Sequence, residues 1–180
     1  MSLPLYPGPA PDARPPERDA FRVLVAYASK HGSTGEIAAV VAATLVEAGI
    51  RADVMPAADV RDLAGYGAVV LGSGLYSATW LRDANRFVRA HRAALAGLPV
   101  WLFSSGPLDR SADLDDIPMT THVTGSIDGL AIRGHRTFGG LLRDDAPEVA
   151  AGILSTHRTG DFRDWEAIRR WAREIGAALG

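Results

Sequence analysis

Cysteine is missing from this chain altogether, which removes disulfides, thiolate metal sites, iron–sulfur clusters and cysteine nucleophiles together. Lysine occurs once, as Lys30, and the 19 basic residues are outnumbered by 21 acidic ones. The resulting formal net charge of −2 argues against a general nucleic-acid binder. No apolar run approaches the ~20 residues that a membrane-spanning helix needs. The N-terminus lacks the charged-then-apolar order of a secretory signal, so the expectation is a cytoplasmic protein without a transmembrane segment, with peripheral membrane contact left open. His91, His122, His135 and His157 show no metal-ligand spacing, and no metal is expected.

What is present is a normal globular composition. Of 180 residues, 47% are hydrophobic and 22% charged, and a chain of this size buries roughly 70% of its unfolded surface in one core. Residues 1–20 hold six of the eleven prolines with little apolar patterning, and they read as a flexible leader before one domain over 21–180. Apolar runs at Val23–Tyr27, Ala52–Met55, Gly67–Leu71 and Pro99–Phe103 read as strands, with a fifth in or beside His135–Phe138. Ile37, Val40, Val41, Leu45 and Ala48 stripe one helix that Gly49 ends. Leu81, Ala84, Phe87, Val88, His91 and Leu95 stripe a second, with Ser77 or Thr79 as its expected cap. Trp165, Ile168, Ala172, Ile175 and Leu179 mark a C-terminal helix. Val123, Ile127, Leu130 and Ala131 suggest a further helix, weakened by Gly125, Gly129 and Pro118. Strands apolar throughout and alternating with amphipathic helices imply a parallel sheet covered on both faces.

The chemistry concentrates where the first strand ends. Arg22-Val-Leu-Val-Ala-Tyr-Ala-Ser-Lys-His-Gly-Ser-Thr-Gly-Glu-Ile37 runs from an apolar strand through a hydroxyl- and glycine-rich loop into a helix. Such a loop aims unpaired backbone N–H groups at one spot, where the helix dipole also favours an anion. Ser29, Ser33 and Thr34 add hydroxyls, and a phosphate is the simplest occupant. The Gly-x-Gly-x-x-Gly of a dinucleotide turn does not follow this strand, and in place of a Walker A order Lys30 precedes its glycine. A phospho-acceptor receiver would need a carboxylate where this strand ends Tyr-Ala-Ser. A nucleophile elbow at Ser73 would need glycine where Leu71 stands.

Ser29-Lys-His-Gly-Ser-Thr34 resembles the phosphate-binding signature of the flavodoxin family, Thr/Ser-x-Thr-Gly-x-Thr, with His31 replacing the third-position hydroxyl. Leu-Gly-Ser-Gly-Leu-Tyr at 71–76, Phe-Gly-Gly at 138–140 and Gly-Asp-Phe-Arg-Asp-Trp at 160–165 extend the likeness over roughly residues 21–180. It looks nearest to the branch that includes menaquinone-dependent protoporphyrinogen oxidase. The resemblance implies an α/β fold, a flavodoxin-like doubly wound five-stranded parallel sheet in the order 2-1-3-4-5 with helices on both faces, and ligand loops at the strands' carboxyl ends. It also implies flavin mononucleotide (FMN) as cofactor. Ser29, His31, Gly32, Ser33 and Thr34 would hold its phosphate, with Lys30 expected to point outward. Ser73, Gly74, Leu75, Tyr76 and Trp80 would lie along its ring, Gly72 or Gly74 serving as a peptide that flips with redox state. Ser104, Ser105, Gly106 and Pro107 would meet the pyrimidine edge, and Phe138, Gly139 and Gly140 would close the same side.

Bland readings compete with these. The loop is also compatible with an ordinary strand-to-helix turn, and Tyr76 and Trp80 with sheet-edge cover. Trp101, Trp165 and Trp171 are expected in packing, and Asp109, Asp113, Asp115 and Asp116 as a solvated loop or a surface that steers a basic partner. Three functions stay open: a flavin enzyme oxidising a porphyrinogen-type molecule with a quinone acceptor, a shuttle serving a redox partner protein, and a binding scaffold without cofactor. No catalytic residue is named by sequence, and the oligomeric state is left open.

Overall fold

The computed structural model describes residues 21–114, 116–147 and 159–180; the expected leader, Asp115 and His157 lie outside them. The first strand, β1 (Arg22–Ala28), is central. It pairs in parallel with β2 (Arg51–Pro56) on one side and β3 (Ala68–Tyr76) on the other. β3 continues the sheet to β5 (Val100–Ser105), and β5 to β6 (Ile132–Phe138), giving the order β2-β1-β3-β5-β6. With the short β4 (Thr79–Trp80) set aside, this is the doubly wound order expected.

The alternation along each strand explains why both faces are covered. Val23 and Val25 of β1, Ala68 and Val70 of β3, and Trp101 and Phe103 of β5 point into one core. There they meet Ile37, Val41 and Leu45 of α1 (Ser33–Glu47) and Ile168, Trp171 and Ile175 of the C-terminal helix. Leu24, Val69, Leu71 and Leu102 point the other way, against Phe87 and Val88 of α2 (Arg82–Leu95) and Val123 of a later short helix. Central strands buried on both faces have no polar side to show, so they read as continuous apolar runs. α1 ends at the expected place, where Gly49 takes φ +83°.

Four departures from the sequence reading bear on the site. β3 does not stop at Leu71 but runs to Tyr76, because Gly72, Ser73 and Gly74 stay in register with Phe103, Ser104 and Ser105 of β5. A Cβ at Gly72 would fall 1.9 Å from the Phe103 ring, so strand packing by itself requires glycine there. β3 then turns back into β4 as a hairpin whose tip, Ser77 and Ala78, has φ of 49° and 60°. Neither Ser77 nor Thr79 caps α2, because both belong to that hairpin. Instead Ser73 Oγ accepts the Leu81 N–H at 3.0 Å. Between β5 and β6 the described residues form α3 (Ser111–Leu114) and α4 (Thr121–Ser126), the latter capped by Thr120. Gly129 at φ +78° turns the chain before Leu130 and Ala131 can extend it. A two-stranded ribbon of β7 (Leu141–Leu142) and β8 (Gly160–Asp161), absent from the sequence reading, precedes α5 (Trp165–Leu179).

Candidate functional site

The carboxyl ends of β1, β3, β5 and β6 converge on a cleft of about 520 Å³, within the range typical of cofactor sites, roughly 300–1,000 Å³. Lys30, His31, Ser33 and Thr34 line it from the first loop and α1. Gly74, Leu75, Tyr76 and Ser77 line it from the end of β3, and Ser105, Gly106, Pro107, Leu108 and Asp109 from the end of β5. Gly140, Leu141 and Leu142 close the remaining side.

At the floor is the start of α1. Gly32 sits at the helix N-cap with φ +90°, a conformation costly for any residue with a Cβ, and no side chain caps the helix. The amides of the first turn are thereby left for another acceptor. Ser29, three residues before that N-cap and, like Gly32, not among the residues lining the cleft, has a buried Oγ with no hydrogen-bond partner among the described residues. A buried hydroxyl left unpaired costs on the order of 1–3 kcal/mol, and this oxygen and the uncapped amides are groups that an anion could satisfy. Thr34, 2% exposed, directs its Oγ1 towards Gly74, where a Cβ would come within 3.5 Å of it. A Cβ at Gly106 would meet Leu75 Cβ at 2.8 Å. These glycines keep the cleft walls apart, and the residues present fit a phosphate with a flat ring above it.

Several candidate residues stand elsewhere. Trp80 is 4% exposed and its Nε1 donates to Ser104 Oγ at 3.0 Å, which puts the indole in the core on the far side of the hairpin. Ser104 Oγ also meets His135 Nε2 at 3.1 Å, so its hydroxyl is committed to this chain and not to the cleft. Burial pushes the His135 imidazole down to about 4, against a smaller upward pull from Asp116. Trp80 donates to Ser104 Oγ, and Ser104 and the His135 ring share a hydrogen bond whose direction follows the imidazole tautomer. Ser73 Oγ, fully buried, donates to the Gly74 carbonyl and is likewise spent in the wall. Phe138 packs edge-on against Trp171, and Gly139 lies so close to Phe162 that a Cβ would overlap its carbonyl oxygen. Both support the cleft from behind. Lys30 leans inward rather than outward, its Nζ 5.5 Å from the Tyr76 ring centroid.

Sequence reasoning missed Ser77, Leu108, Asp109, Leu141 and Leu142 in the lining, and it missed Arg163. The Arg163 side chain is 4% exposed and donates from Nε and Nη2 to both Asp161 carboxylate oxygens at 2.8 and 2.7 Å. Its Nη1 reaches Glu36 Oε2 at 2.7 Å and the Ser33 carbonyl at 3.3 Å. The guanidinium also stacks over Trp165 at 4.4 Å. Its hydrogen bonds hold the Asp161 carboxyl below the usual range against the opposing effect of burial. The motif at 160–165 carried the signal, yet spacing alone does not show that its arginine folds back onto the start of α1.

A doubly wound sheet with an anion cradle at its first strand–helix turn and a ring-sized cleft at its switch point defines a class of flavin-binding redox domains. The family model described as "Flavodoxin domain" matches residues 24–145, and the chain belongs to that family. Among curated proteins, Protoporphyrinogen IX dehydrogenase [quinone] of Escherichia coli strain K12 is 23% identical over 171 residues, covering 86% of this chain and 94% of that protein. Among solved structures, Flavodoxin 1 from Bacillus cereus superposes with a TM-score of 0.59 at 18% identity, covering 88% of this chain and 99% of that one. An archaeal flavodoxin gives 0.58 at 14% identity, covering 88% and 98%. Rubredoxin oxygen:oxidoreductase from Desulfovibrio gigas gives 0.61 at 16% identity over 88% of this chain, which spans only 36% of that larger protein. Among the described residues no helix is long and apolar enough to cross a membrane.

Proposed function

We propose that this chain binds FMN in the cleft and oxidises a porphyrinogen-type substrate, delivering the electrons to a quinone. The observation that carries the cofactor half is the unpartnered Ser29 hydroxyl beside the uncapped start of α1. A phosphate there would be held by Ser29, Ser33 and Thr34 hydroxyls and by first-turn N–H groups, without a required basic residue. Bound flavin supplies the redox chemistry, while the protein supplies binding, orientation and electrostatics. Leu75, Pro107 and Leu108 keep water from the cleft wall, and Tyr76, 39% exposed, offers an aromatic face at the mouth. In each turnover the substrate would lose two electrons and two protons, and the quinone would become a quinol.

The porphyrinogen half is supported by the curated relative's name and by near end-to-end coverage of that protein. A shuttle without its own substrate is favoured by a different feature. Asp109 lines the cleft, Asp113 of α3 and Asp116 follow, paired with Arg110 at 3.2 Å and Arg136 at 3.6 Å, and Leu114 stands 82% exposed among them, a mixed charged and apolar surface on which a redox partner could dock. FMN-loaded protein given protoporphyrinogen IX anaerobically, then menadione, separates the two. The enzyme reading predicts bleaching of the visible flavin band by the porphyrinogen and recovery with quinone. Bleaching only by a flavodoxin reductase supports the shuttle.

A further inference from the structure

The β3–β4 hairpin has a second side. On its β4 strand, Thr79 and Trp80 lie with Arg82, Asn85 and Arg89 of α2 and with His122 and Ser126 of α4. Together they enclose a groove of about 400 Å³ with no carboxylate in its lining. Positions 82, 85 and 89 step by three and four, so they share one helix face. The two arginines are two turns apart, about 10 Å along the axis at ~1.5 Å per residue.

The remaining arginines of α2 are engaged. Arg86 pairs with Asp83 at 3.9 Å, and Arg92 donates to the Ser126 and Asp128 carbonyls. Arg82, Arg89 and the His122 ring have no ion-pair or hydrogen-bond partner among the described residues. Asn85 donates to the Trp80 and Leu81 carbonyls, which leaves its Oδ1 buried without a donor. The groove therefore presents two guanidinium forks suited to carboxylates, with the buried, donor-less Asn85 Oδ1 in the wall between them.

Cleft and groove share a wall. Tyr76 of the cleft and Thr79 of the groove are cross-strand partners, and Thr79 Oγ1 donates to the Tyr76 carbonyl at 2.8 Å. Thr120 ties the hairpin tip to α4 by donating to the Ala78 carbonyl at 2.7 Å. Ser77 lines the cleft and Thr79 the groove, so the two sites adjoin at the hairpin tip, where neighbouring strands lie about 5 Å apart. We infer that this groove is the anchoring half of the substrate site. It takes the carboxylates and an N–H donor of an extended acid whose reacting part lies over the cleft. The inference rests on the redox reading proposed above, and a protoporphyrinogen, with two propionates and pyrrole N–H groups on an apolar ring, has the required chemistry.

The test is equilibrium binding, read by quenching of tryptophan fluorescence, of protoporphyrin IX (the stable oxidised form) and of its dimethyl ester. The full chain is compared with the double variant Arg82→Gln/Arg89→Gln, whose exposed side chains are not needed for folding, and FMN affinity is measured on both. The diacid is expected to bind the wild type, and at least about tenfold more weakly the variant, because two charge-assisted pairs are lost. The ester should bind both proteins equally weakly, and FMN affinity should not change. Equal diacid affinity in the two proteins, an ester as tight as the diacid, or no porphyrin binding by the wild type would each overturn the inference. Absence of FMN binding by the wild type would instead refute the redox reading, leaving the diacid–ester contrast to judge the groove.

Discussion

At the scale of single residues, the site is defined by hydroxyls whose partners differ. Ser29 follows β1, Ser73 lies within β3, and Ser104 and Ser105 end β5; sequence assigned Ser29 to a phosphate and the others to a ring, without showing which hydroxyls are free. The structure separates them by what each oxygen already bonds. Ser73 and Ser104 are spent on Leu81 and on the Trp80–His135 chain, Ser105 leans on the Gly139 carbonyl at 3.4 Å, and Ser29 has nothing. Ser29→Ala should therefore move two quantities in opposite directions. Removing an unpaired buried hydroxyl should leave the flavin-free protein equally stable or more stable by up to about 1 kcal/mol. Losing a hydrogen bond to a charged phosphate should weaken FMN binding by roughly ten- to a hundredfold, since such bonds contribute about 1.5–3 kcal/mol. Thermal unfolding without flavin and a fluorescence titration with it check the pair; a destabilised variant with unaltered affinity would return Ser29 to the role of a turn residue. Trp80 shows the opposite limit of sequence reading. An aromatic residue beside a ligand loop suggests ring contact, but its indole N–H found a buried acceptor in Ser104 and the side chain went inward.

At the scale of elements, the strand-to-helix turn after β1 was legible because its pattern is local: an apolar run, Gly32, hydroxyls, then a helical stripe. The length of β3 was not. Gly72 and Gly74 look like loop residues until their partners across the sheet are known, and it is the bulk of Phe103 that requires the first to be small. The β7–β8 ribbon was hidden for the same reason, since two-residue strands carry no periodicity. Arg163 depends on this level too. It joins β8 and the entry to α5 to the first turn of α1, across 127 residues of sequence to Glu36. Its carboxylate partners are 40% and 49% exposed, so water recovers much of what they lose when the arginine is removed. Arg163→Met should cost about 2 kcal/mol rather than the 3–5 of a fully buried pair. That corresponds to a fall of roughly 5 °C in Tm for a chain of this size, and FMN affinity should fall several-fold as the cradle loses its brace. Calorimetry and flavin titration on the same preparation test both; an unchanged Tm would mean the guanidinium network contributes nothing to holding α1 in place.

At the scale of the whole molecule, continuously apolar strands alternating with amphipathic helices called for a parallel sheet covered on both faces, while the strand order came from the resemblance to the flavodoxin family. The order also fixes where ligands go, because β1 and β3 lead to helices on opposite faces and leave a crevice at their carboxyl ends. The groove behind the hairpin was not legible, since Arg82, Arg89 and His122 come together only when α4 packs against α2. The central claim is that the crevice grips a flavin by its phosphate. It is tested most directly by titrating the purified full chain with FMN and with riboflavin, which share the ring and differ in the phosphate. The account predicts FMN binding at least about a hundredfold tighter than riboflavin, the contribution of two or more charge-assisted hydrogen bonds. Equal affinities, or no binding of FMN offered in excess to correctly folded protein, would contradict it.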